Sequence, residues 1–191
     1  ELFERDHEIT DNKIDGIKYS FMIFQNLISG KYVPFGAFKI YNDSIFVDLL
    51  TIMSKMITDS FLKTVEQYPQ TFYSMYDLFK ELMVNQIETL IEIVHPLVII
   101  SIDISINILI NENEVLQNTL ETILAFLQYL YDYAVDCKPY SQQIEGINSA
   151  LWNKILKENA KINESVIKIL KLLHLIDPWL LIAIKDKIKS N

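Results

Sequence analysis

Ser29-Gly30-Lys31-Tyr32-Val33-Pro34-Phe35-Gly36-Ala37-Phe38-Lys39-Ile40-Tyr41-Asn42-Asp43 decides how the chain is read. It holds two of the four glycines, one of the five prolines and aromatic rings at positions 32, 35, 38 and 41. Leaving a Phe or Tyr exposed forfeits roughly 1.5 to 3 kcal/mol of burial, so the rings are expected to fold back onto the flanking segments as a fixed corner. Gly30 stands where a helix end takes a left-handed residue. Gly36 is expected to turn the chain where a side chain would clash, and Asp43 to cap the helix that follows.

On either side of this corner the apolar residues recur at helical spacing. Upstream, a helix opened by Asp11 or Asn12 carries Ile14, Ile17, Phe21, Phe24 and Ile28 on one face. Residues 1–10 are expected to fray. Downstream, Phe46, Leu49, Leu50, Met53, Met56 and Ile57 form the stripe of a second helix from Asp43 to about Asp59. The two segments make an antiparallel pair.

Farther on, a short helical turn is expected over Ser60 to Gln67. Tyr68-Pro69 then opens a helix whose buried face is Phe72, Met75, Tyr76, Phe79, Leu82 and Met83, bending or ending near Asn85. His95-Pro96 starts the next one. There Ile100 to Ile108 alternates apolar and polar residues as a strand would, yet no second strand candidate exists to pair with it, so helix is the expectation. Asn111 and Glu114 resemble a capping box before a stripe of Leu116, Leu120, Ile123, Leu124, Leu127, Leu130, Tyr131 and Ala134. Residues 136–149 read as the longest loop. Helices follow from Ala150 to about Asn159, from Asn163 through Val166, Ile169, Leu170 and Leu173, and from Asp177-Pro178 onward.

The sum is an all-α chain, 1–191, of about four antiparallel helix pairs at a spacing of roughly 40 to 47 residues, the period of HEAT repeats in an α-α superhelix. One hundred and ninety-one residues, half of them hydrophobic and four of them glycine, suit a helical core. A formal charge of -8 with a single arginine, Arg5, argues against a nucleic-acid partner and favours basic ones. The lone Cys137 excludes an internal disulfide framework. No secretory leader is legible, and Leu97 to Ile110 is shorter than the roughly twenty residues of a membrane span, so no membrane insertion is expected.

Chemistry-bearing patterns are sparse. His7, His95 and His174 are far apart and lie in no zinc motif, and no phosphate-cradling glycine loop or nucleophile elbow occurs. Asp11, Lys13, Asp15 and Gly16 imitate a calcium loop but place Met22 where a glutamate ligand belongs. The expectation is no enzyme, no cofactor and no metal.

The run from Gly16-Ile17 through Asp43, with the pattern small-Gly-x-Tyr-Val-x-Phe-Gly-x-Phe-basic-aliphatic-Tyr, resembles a segment in the C-terminal third of the exportin 7 family. These are Ran-dependent nuclear transport receptors of the importin-beta superfamily. The matching residues are Gly30, Tyr32, Phe35, Gly36, Phe38, Tyr41 and Asp43. Tyr68-Pro69, Tyr73, Tyr76, Leu78, His95-Pro96 and Val98-Ile99 fall at similar distances behind them. The resemblance implies a fragment of a HEAT-repeat receptor that shuttles between nucleus and cytoplasm. Its implied partners are protein cargo with basic surface, RanGTP bound by the full-length receptor, and Phe-Gly nucleoporins. The alternative from the residues alone is a HEAT-like scaffold or adaptor for another assembly.

Overall fold

The structure, a computed structural model, describes residues 2–30, 33, 35–111, 116–158 and 164–178. Among the described residues it is helical, with α1 (Leu2–Ser29), α2 (Phe35–Ile40), α3 (Ile45–Met56), α4 (Asp59–Val65), α5 (Pro69–Asn85), α6 (Ile87–Ile93), α7 (His95–Asn111), α8 (Leu116–Asp132), α9 (Ser141–Glu158) and α10 (Glu164–Ile176). A 3₁₀ turn occupies Lys138–Tyr140. The all-α class is the one the periodicity implies, with the helix-on-helix packing of an α-α superhelix in each of two compact units, Glu1–Leu97 and Val98–Asn191.

In the first unit α1 begins at Leu2, earlier than the expected start at residues 11 or 12. Its stripe is as read: Ile14, Phe24 and Ile28 are buried, and Phe21 meets Phe61 edge-on at 6.5 Å between ring centroids. Phe24 meets Phe46 at 6.3 Å. Through these two ring pairs α1 touches both α3 and α4. The second helix ends at Met56, close to its expected end, and the short turn expected after it is α4; between them the chain breaks at Ile57-Thr58, where the Thr58 hydroxyl accepts from the Phe61 amide at 3.3 Å and caps α4. The break turns Ile57 inward, while Leu49 and Met56, expected in the core, lie exposed. Pro69 at the first turn starts α5, which buries all six residues of its expected face and packs along α1.

In the second unit the alternating stretch is helical, as expected, and its packing shows why alternation misleads. Val98, Ser101, Ile102, Ser105, Ile108 and Leu109 are buried at steps of three and one, so both serines belong to the core. The Ser105 hydroxyl donates to the Ser101 carbonyl at 2.7 Å, which satisfies it inside the helix. On α9, Gln143 donates to Asp103 at 3.0 Å and Lys154 to the Leu109 carbonyl at 3.4 Å. The pairs rise together along both helices, so α7 and α9 are parallel, and α8 packs on α10 in the same unit. Alternate helices thus stack on one another, as in a repeat with two helices per unit.

The loop expected over 136–149 is a misreading: from Ser141 on it belongs to α9, and Tyr140 and Ile144 are buried. Gly146 is part of the contact with α7, since a Cβ there would lie 2.8 Å from the Ile106 Cδ1. At the end of α8 the stripe stops short of Tyr131 and Ala134, which are exposed. Ala134 adopts φ 48° and closes the helix, with the Val135 amide donating to the Leu130 carbonyl at 3.0 Å and the Ala134 amide to Tyr131 at 3.3 Å. The expected cap at Asn111 and Glu114 falls largely on 112–115, and the last helix largely on 179–191, both outside the described residues.

Candidate functional site: an aromatic groove at the corner

The corner contains a helix of its own. Phe35–Ile40 forms α2, and the left-handed residue that ends it is Asn42, at φ 54°. The Asp43 amide donates to the Phe38 carbonyl at 2.8 Å and the Tyr41 amide to Ala37 at 2.9 Å. This corrects two expectations. Gly30 continues the helical pattern of α1, its amide donating to Asn26 at 2.9 Å, and no described glycine has positive φ. Gly36 lies inside α2 with open space where a Cβ would be, so no clash demands it.

Asp43 serves the next helix, though the cap position itself belongs to Ser44. One carboxylate oxygen of Asp43 accepts from the Ile45 amide at 2.9 Å, while Ser44 donates to Asp48 at 2.7 Å. One orphan amide at the start of α3, that of Ile45, is thereby answered by a side chain of the connection.

Around these caps the rings do fold back in part. Phe35 sits 4.4 Å from Phe46, 6.2 Å from Phe38 and 6.4 Å from Phe24, centroid to centroid. Tyr41 does not: it is 81 % exposed, as is Ile40, which corrects the expectation that every ring of the corner is packed. Tyr32 lies outside the described residues.

Phe35, Phe38 and Phe46 line a groove of about 230 Å³ together with Val47 and, from α6, Thr89 and Ile93. Asn42, Asp43 and Ser44 supply its polar edge. The volume is below the ~300 to 1,000 Å³ of small-molecule sites and suits one apolar side chain of a peptide. Of the residues singled out from sequence, Phe35, Phe38 and Asp43 meet in this groove; Gly30, Gly36 and Tyr41 do not line it. Thr89 and Ile93 had no local signal, because they enter the groove from a helix more than forty residues onward. Asn42 did carry one, since asparagine tolerates the left-handed region better than other side chains.

Elsewhere Lys18 and Cys137 are committed locally. Lys18 donates to Asp15 at 2.6 Å, a hydrogen bond that holds its pKa above the usual lysine value, and lies 4.9 Å over the Tyr19 ring. Burial, then Asp136 and Asp177, push the Cys137 thiol up, and it donates to the Val135 carbonyl at 3.3 Å. That is the opposite of an activated nucleophile. His95 starts α7 and His174 lies exposed on α10. Among the described residues no three His, Cys, Asp or Glu side chains converge as metal ligands, and no single helix is long and apolar enough to cross a membrane.

What the fold and groove define is an all-helical chain with a side-chain-sized apolar recess. The chain is similar to Ran-binding protein 16 of Drosophila melanogaster, at 32 % identity over 66 residues. That match covers 35 % of this chain and 6 % of the fly protein's length. No family model matches the chain, and no solved structure does.

Proposed function

We propose that the chain is part of a nuclear transport receptor of the exportin 7 type, working as a helical binding scaffold and not as an enzyme. The similarity to Ran-binding protein 16 carries this reading, and the all-helical stacking supports it. In the proposal, RanGTP is bound by the whole receptor, and the 191 residues belong to one solenoid that moves between nucleus and cytoplasm. The charge of -8 favours cargo with basic surface, whose attraction weakens as salt rises. The groove of Phe35, Phe38 and Phe46 is the proposed seat for the phenylalanine of a Phe-Gly nucleoporin repeat; an apolar anchor in a preformed pocket is how such segments dock.

The test is retention of the full-length gene product on immobilised Ran loaded with GTP or GDP. The proposal expects retention on the GTP form and release on the GDP form. Equal behaviour on both rejects it and leaves the second reading, a HEAT-like scaffold for another assembly.

A further inference from the structure

The core of the second unit takes in several polar side chains, and those on α7, α8 and the start of α9 are answered. Ser105 donates to the Ser101 carbonyl at 2.7 Å, Thr122 to the Asn118 carbonyl at 2.9 Å, and Gln143 to Asp103 at 3.0 Å. Each recovers inside the protein the hydrogen bond it gave up on leaving water. Among the described residues, two atoms farther along α9 are the exception: Asn148 Oδ1 and Trp152 Nε1 are buried and meet no hydrogen-bond partner of the protein. Asn148 is only 3 % exposed, and a polar group stranded at that depth lowers stability more than a made hydrogen bond raises it.

We infer that one ordered water molecule is bound inside the second unit between these two atoms, donating to Asn148 Oδ1 and accepting from Trp152 Nε1. The residues are four apart, so they stand one turn from each other on the same side of α9, with Cβ atoms about 5 to 6 Å apart. An indole nitrogen only donates and an amide oxygen only accepts. The pair is therefore complementary, yet no direct bond joins it. A water about 2.9 Å from each atom spans a gap of that size, and buried waters take such places, where polar groups have no other partner. Trp152 as a whole is half-buried, so the site lies near enough to the surface of the unit for water to enter. Both atoms are closed to bulk solvent, which limits the ligand to a molecule of this size. The inference does not depend on the transport reading.

Two measurements on the full chain test this. A crystal structure that resolves ordered water is expected to show one within about 3.2 Å of both atoms. A dry gap, or an indole that donates directly to Asn148 or to another group, would overturn the inference. Urea denaturation of Asn148→Leu, Trp152→Phe and the double variant reads the same link in solution. Asn148→Leu nearly keeps the side-chain volume but strands the indole, so the folding equilibrium constant should fall on the order of tenfold. Trp152→Phe also loses packing. The double variant strands neither group, so its loss should be several-fold smaller than the product of the two single losses. If Asn148→Leu is as stable as wild type or more so, or if the two losses simply multiply, the atoms are not bridged and the inference fails.

Discussion

The two connections that contain a left-handed residue, 30–44 in the first unit and 133–140 in the second, are packed in opposite ways. The first is rich in aromatic residues, yet it leaves Ile40 and Tyr41 in solvent and a groove beneath Phe35 and Phe38. The second carries two tyrosines in eight residues; one of them, Tyr140, is 2 % exposed, stands edge-on to Phe126 at 5.2 Å, and leads into a helix pressed against α7 at Gly146. Aromatic content is therefore similar in the two, yet the first is the open connection with a groove and the second the structural joint. Whether a segment packs tightly depends on what the neighbouring helices present to it.

Truncating rings in the two places should separate them most. Tyr140→Ala is expected to cost about 3 to 5 kcal/mol, the range for deleting a buried aromatic side chain. Tyr41→Ala should stay within about 0.5 kcal/mol, as for surface changes. Urea denaturation of both variants measures the gap, and similar losses would erase the distinction.

Titration probes the same joint without mutation. Burial, with a smaller effect from Tyr129, pushes the Tyr140 phenol up to about 12. Its proton is retained in the folded chain where the unfolded chain, with an ordinary phenol near 10, has released it. Stability from this group is therefore intact below pH 10 and falls as pH rises from about 10 to about 12. Chemical denaturation across that window should show the fall in wild type and less of it in Tyr140→Phe.

Glycines in the two regions should respond with opposite sign. Gly146→Val meets the Ile106 side chain, already 2.8 Å from the Cβ position, and is expected to cost about 1 to 3 kcal/mol by overpacking. Gly36→Ala has open space in a helix and should gain up to about 1 kcal/mol. Thermal melts of the pair decide this, and a destabilised Gly36→Ala would show that the corner is tighter than described.

The smallest expected effect concerns the left-handed residues themselves. Ala134, at φ 48°, bears the Cβ penalty of that region, so Ala134→Gly should stabilise the chain by roughly 1 kcal/mol. Asn42→Gly, at φ 54°, should change it by no more than a few tenths. Equal responses would mean that the two ends are not strained as their backbones indicate.

Much of this architecture was legible because helical periodicity is local. The faces of α1 and α5 are where the spacing puts them, and Pro69 and Pro96 open helices where proline is tolerated. Errors gathered where the deciding atoms come from elsewhere. The 136–149 stretch looked like a loop because Gly146 and its polar neighbours signal a turn, but glycine is there for close approach to Ile106. Leu49 and Met56 fitted a core stripe by spacing alone, and only the break at Ile57-Thr58 and the position of α6 show which apolar face of α3 is used. Of the groove's lining, Phe35, Phe38 and Asp43 were legible in the corner motif. Thr89 and Ile93, from α6, depend on tertiary packing.

The most direct test of the groove as a docking site is fluorescence anisotropy of a labelled Phe-Gly repeat peptide against wild type, Phe38→Ala and Tyr41→Ala, with helicity checked by circular dichroism. Loss of Phe38 from the groove wall should weaken binding about tenfold, the scale of losing an interface hot spot, while Tyr41→Ala, outside the groove, should bind as wild type does. Equal affinity in all three would contradict the assignment.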